Sequence, residues 1–170
     1  MNKQQIEQMW DHFRQVNGIG LRCIAAIPPG KIDANPIPGM RTPKEIAVHM
    51  YGTMVQAVIE SIVSGSLAPP DEARICQTLR TGDELLSYCR GCWEAGDRAM
   101  KSVTDRQLQA MVKTPWGMDM PGFVMASVTY DEYFHHRGQL YAYLRAMGIE
   151  PPMLWDFGHN EPAYQPKPAA

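Results

Sequence analysis

No stretch of this 170-residue chain is both long and free of polar side chains. The longest apolar-looking run, Ile46 to Val63, contains His49, Gln56 and Glu60. It therefore reads as a buried helix, and no membrane partner is expected. The opening residues, Met1 to Phe13, are polar and carry an acid, which is not the pattern of a secretory signal. An excess of one charge is also missing. The formal net charge is -2, and the sixteen lysines and arginines are scattered along the chain. With no basic stripe to neutralise phosphates, nucleic acid is excluded as the main partner. Cysteine is scarce, at four residues. Without an export signal, reduced thiols and a cytoplasmic location are the expectation. No internal repeat, low-complexity segment or long β-alternating run is present.

What remains is the composition of an ordinary globular protein, 45% hydrophobic and 20% charged. A chain of this length buries roughly 70% of the surface its unfolded form exposes, so one domain over residues 1–170 needs no disulfides.

Helical spacing dominates. A first helix is predicted from Lys3 to Ile27, with Ile6, Met9, Trp10, Phe13, Val16 and Ile24 on its apolar side. Pro28-Pro29-Gly30 ends it, because proline lacks the next helical N–H and disfavours helix in the residue before it. Residues 28–41 read as an ordered loop. Thr42-Pro43, with Glu45 three residues after the cap, opens a second helix that runs to about Val63 and is broken by Ser64-Gly65-Ser66. A third spans Gly82 to Val103, with Leu85, Cys89, Cys92, Gly96, Ala99 and Val103 on one face. Residues 104–120 suggest one helical turn followed by extended chain. The fourth helix begins near Pro121 and ends at Met147-Gly148. A proline-rich tail from about 148 to 170 should pack back on the bundle through Leu154, Trp155 and Phe157, with its last few residues frayed.

The fourth helix carries the chemistry. Val128, Glu132, His136 and Leu140 follow at four-residue spacing, with Tyr143 and Met147 continuing the face. An acid and an imidazole thus fall within an apolar stripe. Burying a lone carboxylate is costly, so the pair must answer to each other, to a third group or to a metal. Spacing of i and i+4 puts both side chains on one face, as two ligands for one ion would require. A self-satisfied Glu132–His136 hydrogen bond is the structural alternative. His49 on the second helix lies off the stripe formed by Ala47, Met50, Met54, Val58 and Ile62, beside Glu45, Thr53 and Gln56. A histidine there is ordinarily a surface residue, and as a ligand it requires a site open at the bundle edge.

Arg137 and Gln139 flank the ligand face. For both, a solvated surface is the default, with orientation of a ligand or a subunit contact as the alternatives. His135 reads as surface, and Gly138 as a point of close helix approach. Cys89-Arg90-Gly91-Cys92 forms a CxxC, but both sulfurs fall on a core face and no second CxxC completes a zinc site, so small buried apolar residues are the simpler reading. His12 and His159 have no identifiable partner.

The run His135-His136-Arg137-Gly138-Gln139-Leu140, followed by Tyr143-Leu144-Arg145, Gly148 and Pro151-Pro152, resembles the end of the DinB/YfiT-like family, and Thr42-Pro43…His49 is similar to its second helix. The resemblance implies an all-α, up-down-down-up four-helix bundle, often a homodimer, holding nickel, zinc or another divalent ion. The family's metal is usually held by one histidine of helix two and two of helix four. His49 matches the first and His136 the last, while Glu132 stands where the other imidazole is usual. Two histidines and one carboxylate still suit a divalent ion with open positions. The resemblance further implies a metal-dependent enzyme acting on a small molecule, with a low-molecular-weight thiol as co-substrate in a transferase or isomerase. The alternatives are a metal-dependent hydrolase, a non-catalytic metal-binding or stress-response module, and an empty, degenerate site.

Overall fold

The structure, a computed structural model, describes residues 1–167. Four long helices form the body: α1 (Lys3–Ala25), α2 (Pro43–Ser64), α4 (Gly82–Ser102) and α6 (Gly122–Ala146). Two short helices, α3 (Glu72–Thr78) and α5 (Asp105–Gln109), lie in the connections. A two-residue hairpin pairs β1 (Met111–Val112) with β2 (Met120–Pro121) in antiparallel register. The helical turn and extended chain expected within 104–120 are α5 and this hairpin.

Local chemistry starts and stops the helices where the sequence indicates. Asn2, Thr42, Thr81 and Thr104 each accept a hydrogen bond from the third helical N–H, and the Gln or Glu at that position accepts one from the N–H of the cap residue. At the end of α6, Gly148 adopts φ 77°. Its N–H donates to Arg145 while the Ile149 N–H donates to Leu144, the paired closure that a left-handed residue permits.

Side-chain contacts set the helix directions. Trp10 Nε1 donates to Asp97 and Lys3 Nζ to the Lys101 carbonyl, so the start of α1 lies beside the end of α4. The Tyr130 hydroxyl donates to the Met9 carbonyl, while Cys23 lies against Tyr141, so α1 and α6 run parallel. Tyr143 donates to the Arg41 carbonyl and Thr129 to that of Met54, so α2 opposes α6. Lys44 donates to the Leu79 carbonyl and Gly96 meets Val55, so α2 runs with α4. The topology is up-down-down-up.

Helix α2 is the centre of the packing. It is long and apolar enough to cross a membrane by composition, yet 72% of the relevant window is buried inside the bundle, as in a core helix. From Met50 to Val55 every residue is buried, and the segment His49–Ala57 is wound as a π-helix. The apolar stripe expected for this helix therefore widens to burial all round over its middle, while Glu45, Glu60 and Val63 stay exposed toward its ends. A buried cluster of Asn17, Tyr51 and Tyr133 crosses its middle. Tyr51 donates to Asn17 Oδ1 at 2.9 Å and lies 3.0 Å from the Tyr133 hydroxyl.

Three expectations change. Leu154 and Trp155 are 44% and 68% exposed. The tail is anchored instead by buried Tyr164, by Asn160 donating to the Gln15 carbonyl, by the Arg22–Asp156 and Arg90–Glu161 pairs, and by partly buried Phe157. Polar anchors of this kind leave no periodic trace. Gly138 faces open space within the chain, so it is not a point of close approach; Gly96 is, since a Cβ there would lie 2.8 Å from the Val55 carbonyl oxygen. His12 and His159 do find neighbours, the Phe157 ring edge and Asp156 respectively. The fraying expected of the final residues concerns 168–170, outside the described residues.

Gly96→Ala should destabilise the bundle by about 1–3 kcal/mol, because a carbonyl cannot move aside as a side chain can. Gly138→Ala should be neutral or stabilising by up to about 1 kcal/mol from helix propensity. Equal denaturation midpoints for the two variants would contradict this packing.

The thiols give a second check. Burial raises Cys23 and Cys92 to about 11 and Cys89 well above its ordinary value, whereas Cys76 is only partly buried. Alkylation of the native protein near pH 8 should modify Cys76 first, and rapid labelling of the Cys89–Cys92 pair would contradict the core placement.

Candidate metal centre

His49 stands at the start of the π-helical segment of α2, and Glu132 and His136 lie one turn apart on α6. Because the two helices run antiparallel and pack directly, their side chains meet. One ligand atom from each of His49, Glu132 and His136 lies within 4.8 Å of the others, the single such cluster among the described residues. The two imidazole rings meet edge to face, 4.9 Å between centroids.

Each imidazole is held from behind. His49 Nδ1 lies 2.6 Å from Glu72 Oε1 on α3, and the same oxygen accepts from the Thr53 hydroxyl at 2.5 Å. Partial burial works to raise the Glu72 pKa, but the hydrogen bonds from His49 and Thr53 outweigh it and hold the carboxyl below its usual range. His136 Nδ1 lies 2.8 Å from Gln139 Oε1, and the Gln139 amide nitrogen in turn lies 3.2 Å from His135. Both partners of the Nδ1 atoms are acceptor oxygens, so Nδ1 carries the proton in each ring and Nε2 keeps its lone pair. This is the outer arrangement that fixes the tautomer of a metal-ligating histidine.

The self-satisfied alternative can now be weighed. Burial lowers the His136 pKa most, and the adjoining His49 and His135 add to it; the hydrogen bond to Gln139 and the Glu132 charge oppose it, but the net shift is downward, favouring the neutral ring. A neutral ring protonated on Nδ1 presents a lone pair to Glu132. Its Nε2 lies 3.2 Å from Glu132 Oε2 yet is buried without a hydrogen-bond partner. Two acceptors at that distance, with no proton between them, repel each other. Leaving such a nitrogen buried and unpaired costs about 1–3 kcal/mol, which a bound cation would recover. The donor set of two imidazole nitrogens and one carboxylate fits a divalent ion such as zinc or nickel.

Two details differ from the sequence reading. Glu132 lies on the flank of the core face rather than within it. The most buried line of α6 passes through Met125, Thr129, Tyr133, His136 and Leu140, and the Glu132 side chain is 40% exposed. The opening to solvent is thus on the Glu132 side, while the His49 side chain is only 16% exposed beneath α3. Arg137, expected in solvent, is 9% exposed and lies over the Phe134 ring at 4.8 Å. Of the two roles open to Gln139, orienting His136 is the one its contacts show.

Glu72 and Thr53 were missed as participants. Pro69-Pro70-Asp71 before Glu72 carried a cap signal, and Asp71 does accept from the Arg74 N–H. Nothing in the spacing tied that helix to His49.

The DinB family model matches residues 1–167. The chain belongs to the DinB family. Solved structures agree on the DinB fold. A DinB-like protein of Bacillus subtilis superposes with a TM-score of 0.70 at 20% identity, over 86% of this chain and 96% of that one. YfiT of Bacillus subtilis, described as a probable metal-dependent hydrolase with an unusual four-helix bundle topology, gives 0.66 at 14% identity, over 88% and 91%. A protein assigned to the DinB family from Exiguobacterium sibiricum gives 0.58 at 21% identity, over 91% and 96%. Comparison with curated protein sequences finds no match.

His136→Ala should abolish stoichiometric divalent-metal uptake. Glu72→Ala, which touches no ligand atom of the cluster except through His49, should weaken affinity by about 10–100-fold in chelator competition. Uptake should decline as pH falls, because protons compete for the imidazole nitrogens, and the downward shift of His136 places its share of that loss below the ordinary histidine range. Unchanged metal content in both variants would contradict the assignment.

Proposed function

We propose that this DinB-family protein binds one divalent ion through His49 Nε2, His136 Nε2 and a Glu132 oxygen, and catalyses a metal-dependent reaction on a small molecule. The observation that carries the proposal is the convergence of two oriented imidazoles on a carboxylate, with a buried Nε2 that no proton donor among the described residues satisfies. A bound ion at an incompletely filled site supplies a Lewis acid that lowers the pKa of a coordinated thiol or water.

The rest of the work falls to the chain's own residues. Glu72 and Gln139 fix both rings with Nε2 turned to the centre. The exposed flank at Glu132 provides the approach for a substrate. The carboxylate leaves the centre less positive than three imidazoles would, which favours a soft, readily ionised nucleophile. A low-molecular-weight thiol meets that need. Cys23, Cys89 and Cys92 are buried with raised pKa values, so the thiol must come from outside the core. Thiol transfer is accordingly the first reading. Hydrolysis, with water in the thiol's place, is the second, favoured by the structural likeness to YfiT.

The test is a panel of electrophilic substrates offered with glutathione, bacillithiol or mycothiol to metal-loaded wild type and to His49→Ala. Thiol-dependent turnover in the wild type, reduced about 100-fold or more in the variant, is expected. Turnover that is metal-dependent but indifferent to thiol would favour hydrolysis. Equal rates for the two proteins, or none above background, would point to a non-catalytic metal-binding module.

A further inference from the structure

Behind Glu72 lies a cleft of about 660 Å³, within the roughly 300–1,000 Å³ typical of small-molecule sites. Asp33, Arg41, Lys44, Glu72, Cys76 and Arg80 are among its lining residues. Most of the charges there are already committed. Lys44 Nζ lies 2.7 Å from Asp33 and donates to the Leu79 carbonyl at 3.0 Å. Glu45, also in the lining, closes the cap of α2 by accepting from the Thr42 N–H, and Glu72 accepts from His49 and Thr53. The guanidinium groups of Arg41 and Arg80 make no ion pair or hydrogen bond among the described residues; Arg41 contributes only its carbonyl, to Tyr143, and Arg80 only its N–H, to Glu84. Glu45 and Glu72 accept from uncharged donors, so the lining sets three acids against three bases; Arg41 and Arg80 are the two exposed cations on its walls with no direct partner among the described residues.

We infer that this cleft is an oxyanion subsite that receives the acidic groups of a small organic dianion on Arg41 and Arg80. A guanidinium presents a planar fork of N–H donors that matches a carboxylate or phosphate in two parallel bonds, which suits recognition rather than simple charge attraction. The wall shared with the metal centre is Glu72, the carboxylate that orients His49. The cleft is therefore placed to hold the acidic end of a ligand beside the centre, and a low-molecular-weight thiol bearing carboxylates has that chemistry. The assignment of the anion to a reacting molecule rests on the enzymatic reading above; the anion site itself does not.

The experiment separates the two. Succinate and, in a parallel arm, inorganic phosphate are titrated calorimetrically into the protein as purified and after chelation, and into an Arg41→Gln/Arg80→Gln variant. The metal content of each is measured, and Cys76 alkylation by iodoacetamide is followed with and without anion. Binding of at least one anion is expected, retained after chelation, weakened about tenfold or more in the double variant, and accompanied by slower Cys76 labelling. The variant should keep the wild-type metal content. A preference between the two arms identifies carboxylate or phosphate as the group recognised. No binding of either anion, equal binding by wild type and variant, loss of binding on chelation, or unprotected Cys76 under saturating anion would each overturn the subsite. Failure of the metal centre itself is read separately, from the metal content of the wild type.

Discussion

From Met50 to Val55 helix α2 is enclosed on every side, and that constraint governs the packing around it. Helix α2 packs mainly on α4 and α6, meets α1 through Tyr51 and Asn17, and carries α3 against its first half, while Glu60 and Val63 stay exposed. Its polar side chains His49 and Thr53 therefore have to be satisfied by protein. Glu72 does so for both, through one oxygen. The short helix α3 is held in place by what it completes, and the tautomer of His49 follows from that contact. Without Glu72 a largely shielded imidazole would be left unpaired on its Nδ1 side, at a cost of about one hydrogen bond.

The same logic runs on the opposite helix with a different outcome. Gln139 satisfies His136 Nδ1, but among the described residues nothing satisfies His136 Nε2. Buried polar atoms of native proteins are nearly always paired, and a cation is what would satisfy an unpaired lone pair 3.2 Å from a carboxylate. The stability of the bundle and the character of the site are thus linked: the antiparallel α2–α6 packing that buries Val58, Met125 and Leu140 is also what brings the three ligand atoms together.

Most of the fold was legible in the sequence because its signals are local. Thr42-Pro43-x-Glu45 and Thr81-x-x-Glu84 are reciprocal caps, and Gly148 is a left-handed stop; each acts over one turn, so spacing alone reveals it. The pairing of Glu132 with His136 was legible for the same reason, and the resemblance to the DinB/YfiT-like family added His49. What escaped depends on distant parts of the chain. The burial of His49, its bond to Glu72, the shielding of Arg137 by Phe134 and the anchoring of the tail through Asn160 all require knowing which elements are neighbours. Periodicity also misplaced Glu132 within the core stripe, because a side chain on the flank of a helical face has the same spacing as one at its centre.

The account stands most directly on which atoms face the ion. Anomalous diffraction from crystals grown with zinc or nickel would locate the metal and its ligands in one measurement. One ion per chain is predicted, bound by Nε2 of His49, Nε2 of His136 and a Glu132 oxygen, with Glu72 and Gln139 still on the Nδ1 atoms. An ion bound through Nδ1, held by Glu72 in place of Glu132, or located away from these three residues would contradict it.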